Sequence, residues 1–424
     1  MKKIGRMLLL SAVFFALVFP AFANGQQEAD GNQLALWHYE SENGAMGKAW
    51  KVAMEKLKEK YPDLEINFEE KGFEQIRQTA SMVLNSSEAP DVMEYNKGNA
   101  TAGLLSSQGL LTDLSDVAKE RGWDKILGDS ITVTARYKDG IMGDGDWYGV
   151  TNYGEYVMVY YNKDMFAEYG LDVPKTFSEF EEVMAAFAAK GITPLAVAGA
   201  EYPAQQVFYE LVLSQADEDF IKSYQLFQGD VDFHGPEFTF AANKMVEWID
   251  NGYISADAVS MKAEDMGLAY TRGEYPMMIS GSWWYGRFVE EITEFDWGIF
   301  NFPGNKYHPG SSGNLWVVPT SASNKEIAYD FIDITLSPEI QNILGNAGGI
   351  PVNADLNGIS DPKIKELIQG FNDILDADGL AFYPDWPVAG FYDVLVAKVQ
   401  DLMGKTKSAD QVLTELGEEY HSGL

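Results

Sequence analysis

A chain of 424 residues that is 46% hydrophobic and 13% aromatic can bury more than one core, because single cores stop growing at roughly 250–300 residues, so two domains are expected. Its 64 Asp and Glu against 31 Lys and Arg leave a formal charge of −33, which repels phosphate backbones and anionic head groups and excludes nucleic acid as a partner. The absence of cysteine excludes disulfides, thiolate metal ligands, a nucleophilic thiol and a lipidated N-terminal cysteine, and four histidines without an H-x-x-x-H spacing argue against zinc. No cofactor is expected.

Lys2, Lys3 and Arg6 precede the apolar run Met7 to Phe19, Pro20, and the triplet Ala21, Phe22, Ala23. That order is a secretory signal peptide with cleavage expected after Ala23. A membrane anchor is disfavoured because the polar stretch Asn24 to Gln33 follows a run too short for a comfortable span. Leu34 to Tyr39 reads as a buried strand. Met46, Trp50, Ala53, Met54, Leu57 and Tyr61 then recur at helical intervals before Pro62. Leu64, Ile66 and Phe68 alternate as a strand, Ile76 to Leu84 reads as a helix, and Ala89 to Met93 as a third strand. Strand, helix, strand, helix, strand predicts an α/β fold with a mostly parallel sheet and helices on both faces.

Further along, strands are expected at Trp147 to Val150, Tyr156 to Tyr161, Pro276 to Ile279, Phe295 to Phe300 and Leu315 to Val318. Helices are expected at Phe177 to Ala189, Ala204 to Ser214, Phe240 to Ile249, Asn324 to Leu336 and Thr406 to Tyr420. No repeat, low-complexity tract or linker interrupts residues 34–424, so two domains must be joined by several chain crossings.

In this order the chain resembles the extracellular solute-binding proteins of carbohydrate ABC transporters, the maltose-binding-protein-like family. The segments that carry the likeness are the opening strand with Trp37; Lys60, Tyr61, Pro62; Ala89, Pro90, Asp91, Val92; and Gly109 to Leu114. Trp147 to Val150 leading to Val159 to Lys163 follows, then Gly273 to Gly281 with Trp283, Ser323 to Gln341, and Gly348 to Val352. The resemblance implies a two-lobed periplasmic binding fold of type II, each lobe a mostly parallel sheet flanked by helices, joined by crossing hinge strands. It places the first lobe at 24–153 and 319–349 and the second at 154–318 and 350–424. It further implies a periplasmic monomer that closes on a sugar without catalysing a reaction and hands it to a membrane permease.

A sugar presents hydroxyls and flat C–H faces, so its site needs carboxylates and amides beside an aromatic platform. Ser280 to Gly286 holds Trp283, Trp284 and Tyr285 between glycines. Two adjacent large rings cannot easily both point into a core from extended backbone, and the resemblance makes Trp283 a stacking residue. A second aromatic patch, Pro384 to Pro387 with Phe391 and Tyr392, offers Trp386 or Phe391 for stacking. Polar candidates sit at strand ends, where open α/β sheets place ligands: Glu40 and Glu42 after the first strand, and Tyr95, Asn96 and Lys97 after the third. By resemblance Glu155 lies at the first lobe crossing, Tyr202 beside Glu201 matches loosely, and Asn314 lies near a second crossing. Each acidic candidate competes with a plain solvated surface role. Asp144 and Asp146, and Asp376 and Asp378, lack the calcium-loop spacing and read as turn or helix-end residues. The rival function is a secreted glycoside hydrolase, which uses the same aromatic and carboxylate groups; a structural surface protein is a third class.

Overall fold

A computed structural model describes residues 32–424, and the leader expected over residues 1–23 lies outside them. Leu34 and Leu36 are fully buried, which makes β1 (Gln33–His38) an interior strand. It pairs in parallel with β2 (Glu65–Glu70) and β3 (Val92–Tyr95). Helices Ala45–Lys60 and Phe73–Leu84 connect the three, as the alternation in the sequence predicts. Met46, Ala49, Trp50, Ala53 and Leu57 line the buried face of the first helix, while Lys58 and Lys60 in its last turn oppose its C-terminal dipole. β2 is an edge strand, so Phe68 remains 37% exposed despite its apolar alternation.

The chain then forms a small antiparallel sheet, β4 (Arg136–Lys138), β5 (Ile141–Met142) and β6 (Asp146–Trp147). β7 (Val150–Thr151) returns to the first sheet. The single strand expected over Trp147 to Val150 is therefore two strands in different sheets. β8 (Glu155–Asn162), β9 (Leu195–Ala196), β10 (Met277–Gly281) and β11 (Trp297–Phe300) build a second sheet in the order β11-β8-β10-β9, and β12 (Gly310–Ser311) adds to β8. β13 (Leu315–Val317) completes the first sheet, whose order is β2-β1-β3-β13-β7.

Both sheets are mixed. β13 runs against β3 and β7, and β8 against β10 and β11. Each reversed strand enters its sheet by direct passage from the other, without the intervening helix that makes neighbouring strands parallel. Three residues separate β7 from β8, and three separate β12 from β13. A third passage is fixed where the Gly154 amide donates to the Ile350 carbonyl at 2.7 Å. The chain is already back in the first sheet at Leu315, a few residues ahead of the 319 boundary expected from the sequence.

Helices Lys325–Leu336 and Pro338–Asn346 pack on Ala45–Lys60. Helix Ala204–Leu213 packs on β10 and joins Pro236–Asp250, Phe391–Met403 and Ala409–Ser422 in one layer. Pro362–Asp376 was not anticipated, although Ile364, Leu367, Ile368, Phe371 and Ile374 repeat at helical spacing and are buried, and Asp361 caps its first turn. Asp144 lies in the turn between β5 and β6, Asp376 ends a helix, and Asp378 takes a positive φ of 50° just beyond it, as expected of turn and helix-end residues. Asp146 is instead the first residue of strand β6, where it pairs with Tyr137. No helix among the described residues is long and apolar enough to cross a membrane.

Gly313 occupies the second passage with φ +77°, and a Cβ there would lie 1.8 Å from the Tyr153 carbonyl oxygen on the first. Only a residue without a side chain lets the two crossing segments touch. Gly313→Ala should destabilise the fold by more than about 1 kcal/mol, read as a lower urea midpoint by tryptophan fluorescence; an unchanged midpoint refutes the tight contact.

Candidate functional site

The ends of β1, β3 and β10 and the first two crossing segments converge on one cavity of about 330 Å³. Glu40 and Ser41 follow β1, Asn96 follows β3, Tyr153 and Glu155 flank the first crossing, and Asn314 lies on the second. The opposite wall comes from Tyr202, Gln205 and Gln206 at the start of Ala204–Leu213, from Trp283 and Trp284 in a single turn after β10, and from Tyr383, Asp385 and Trp386 in the loop before Phe391–Met403.

The floor is a buried polar network. The Lys97 ammonium pairs with the Glu155 carboxylate and donates to Asn314 Oδ1 at 3.1 Å. Asn314 Nδ2 donates to the Tyr153 hydroxyl oxygen at 2.7 Å and to Glu40 Oε1 at 3.4 Å. The Tyr153 hydroxyl lies 3.3 Å from both Glu40 Oε1 and Glu155 Oε2, and Ser311 Oγ donates to Glu155 at 3.1 Å. Lys97 Nζ also stands 5.8 Å and 5.3 Å from the Tyr383 and Trp386 ring centroids, within cation–π range. Beneath, Glu94 is fully buried and accepts from Asn152 Nδ2 at 2.8 Å.

Burial governs the protonation of these groups. It pushes the Glu40 carboxyl up to about 7, with Glu155 adding repulsion and Tyr153, Lys97 and Asn314 opposing the rise. Burial carries Glu94 well above the usual carboxylate range, with Glu40 as a further cause, and takes Asp385 up to about 6. It also pushes the Lys97 ammonium down, against the pull of Glu155.

Above the floor runs a chain of rings. Tyr39 meets Phe73 at 5.3 Å between centroids, Phe73 meets Tyr202 at 6.4 Å, Tyr202 meets Trp283 at 6.0 Å, Trp283 meets Tyr383 at 6.3 Å and Tyr383 meets Trp386 at 5.2 Å. Trp386 reaches this position because residue 98 is glycine with φ +107°, where a Cβ would stand 2.6 Å from the Trp386 side chain. Trp284 instead stacks on Phe288 at 5.5 Å, with the Arg287 guanidinium 4.7 Å from its ring centroid.

Of the residues singled out from the sequence, Glu40, Asn96, Glu155, Tyr202, Trp283, Trp284, Asn314 and Trp386 all line the cavity. Glu42 does not; it is exposed on the turn beyond Ser41. Nor does Tyr95, the last residue of β3, which packs into the core while Asn96 beside it faces the cavity. Phe391 is fully buried against Phe233 and Tyr420, so of the two alternatives Trp386 is the lining residue. Glu201 accepts a hydrogen bond from the Ala263 amide at 2.9 Å. Sequence reasoning missed Tyr39, Phe73, Tyr153, Gln205, Gln206 and Tyr383. Tyr39 and Tyr153 were findable, since Tyr39 directly precedes Glu40 and Tyr153 lies two residues before Glu155; the glutamines carried no local signal.

A concave, aromatic-walled cavity with convergent polar groups, set where an α/β chain passes between two sheets, defines a protein that encloses a small solute. Residues 41–342 match the family model described as bacterial extracellular solute-binding protein, and the chain belongs to that family. An uncharacterized ABC transporter extracellular-binding protein of Pyrococcus horikoshii is 20% identical over 84% of this chain and 81% of its own. A probable sugar-binding periplasmic protein of Mesorhizobium japonicum is 25% identical over 73% and 75%. Among solved structures, a chitin oligosaccharide binding protein superposes with a TM-score of 0.79 at 20% identity, covering 93% of this chain and 99% of its own. The maltose-bound T. maritima MalE3 gives 0.76 at 19%, covering 92% and 100%. The fold is that of the two-lobed solute-binding proteins.

Two measurements test the electrostatics of the floor. Lys97→Met leaves Glu155 buried without its cation and should cost about 3–5 kcal/mol in denaturant unfolding, with Lys97→Met/Glu155→Gln recovering most of the loss; equal stability of the single variant and the parent refutes the pairing. Folding raises the Glu40 pKa from 4.5 to about 7, so the native state binds this proton more tightly than the unfolded chain. Stability therefore falls as pH rises between these values, by about 3 kcal/mol in total. Glu40→Gln should flatten that slope; a parallel pH profile refutes it.

Proposed function

We propose that this chain is the substrate-binding component of an ABC importer, capturing a mono- or oligosaccharide and delivering it to a membrane permease. It acts in the periplasm as a monomer after loss of residues 1–23. One lobe takes residues 24–153 and 319–349, joined by the strand Leu315–Val317, and the other takes the rest. The observation that carries the reading is the chain of rings from Tyr39 to Trp386 standing over carboxylates and amides. Ring faces match the C–H faces of a pyranose, and the floor satisfies hydroxyls that both donate and accept. The names of the Mesorhizobium relative and of the chitin oligosaccharide and maltose-bound structures support the same class of solute.

Glu40 and Asn96 follow strands of the first sheet, whereas Trp283 follows β10 of the second and Tyr202 and Trp386 precede helices in the layer packed on it, so a solute in the cavity touches both sides at once. Binding then favours the arrangement that brings the two together. Pairs outside the cavity join the same elements: Arg77 with Asp393, Lys48 with Glu290, and Asn99 Nδ2 with the Gln225 carbonyl at 3.2 Å. Thermal-shift screening of mono- and oligosaccharides should give a stabilising ligand, and oligosaccharides incubated with the protein should be recovered intact, without new reducing ends. Trp283→Ala should weaken binding of that ligand by about 1.5–3 kcal/mol by calorimetry; an unchanged dissociation constant refutes its place against the sugar.

A further inference from the structure

The cavity holds more acid than base. Glu40, Glu94, Glu155 and Asp385 are 8%, 0%, 5% and 9% exposed, and the cation buried among them is Lys97. Lys97 is committed to Glu155, Asn314 and two rings. At the rim, Arg287 makes two hydrogen bonds to Glu264, at 2.9 and 3.0 Å, and Arg77 is held by Glu74 and Asp393. Glu40 and Asp385 both line the cavity, and neither has an ion pair among the described residues. The donors on Glu40 are neutral, the Tyr153 hydroxyl and the Asn314 amide.

A second observation adds unfilled acceptors to the same cavity. Gln205 and Gln206 line the cavity at 1% and 6% exposure, and their side-chain carbonyl oxygens have no hydrogen-bond partner among the described residues. The glutamine oxygens call for donors such as hydroxyls, and the unpaired carboxylates for a donor that carries positive charge. An ammonium is compatible with these walls, since Lys97 Nζ already sits within 6 Å of the Tyr383 and Trp386 centroids.

Resting on the saccharide reading above, we propose that the solute is an amino sugar, whose protonated amine takes its counter-charge from Glu40 and Asp385 while its hydroxyls serve Gln205 and Gln206. A neutral sugar supplies donors but leaves both carboxylates without a cation in direct contact, with Lys97, and Arg77 beside Asp385, acting on them only at longer range. The amine supplies both, and opposes the rise in pKa that burial, with Glu155 beside Glu40 and Glu74 beside Asp385, imposes on each.

Calorimetry at one pH and ionic strength, over matched pairs, tests this: glucosamine against glucose, galactosamine against galactose, mannosamine against mannose, and the β-1,4 disaccharide of glucosamine against cellobiose, with spermidine as a cation that is not a sugar. In whichever pair binds, the amino form should be at least about tenfold tighter, and Asp385→Asn should shrink that ratio several-fold. A neutral parent that binds as tightly as its amine, or a ratio unmoved in both Asp385→Asn and Glu40→Gln, overturns the amino-sugar assignment and leaves the saccharide reading intact. Binding of no member of any pair overturns the amino-sugar assignment and leaves the saccharide reading to the wider thermal-shift screen, whereas binding of spermidine alone overturns both.

Discussion

The ion pair between Lys97 and Glu155 is the constraint around which the rest is arranged. It joins the residue two beyond β3 to the first residue of β8, and so links the two sheets at the point where the chain first passes between them. In so dry a setting a separated charge costs several kcal/mol, which forces the remaining valences of both groups to be filled. Asn314, Ser311, Tyr153 and the faces of Tyr383 and Trp386 fill them. The second crossing is thereby drawn to the first, and Gly313 and Gly98 are the positions where side chains give way so that backbone and ring can come close.

From this arrangement follows the character of the cavity. The network consumes the local base and leaves Glu40 and Asp385 with raised proton affinity at its surface. The aromatic wall lines the other side, and polar groups this deeply buried act in a medium where each hydrogen bond discriminates more strongly than it would in solution.

Much of this was legible in the residues themselves. Periodicity gave the β1 to β3 unit because Leu34, Leu36 and Val92 are interior and Met46, Trp50 and Leu57 fall on one helical face. Glu40, Asn96, Trp283 and Trp284 sit at strand ends, where topology restricts position, whereas Glu155, Tyr202 and Asn314 follow from the resemblance and Trp386 from an aromatic patch in a loop. What stayed hidden depends on contacts between distant segments. Glu42 and Tyr95 are each one residue or two from a lining side chain and face elsewhere, because a strand or turn reverses direction at every step. Gln205 and Gln206 lie on a helix buried on all sides, where no polar face marks the solute. Likewise β13 and β8 run antiparallel to their neighbours for want of a connecting helix, a property of the whole path and not of either strand.

The two crossings from Thr151 to Glu155 and from Ser311 to Leu315 span too few bonds to lengthen, and the Gly154 to Ile350 bridge ties a third segment beside the first of them. Such a triple tether forbids the halves to drift apart or slide. Any swing of one sheet against the other would have to turn, like a door on a piano hinge, about this line of tethers, beside which the Lys97 cluster lies.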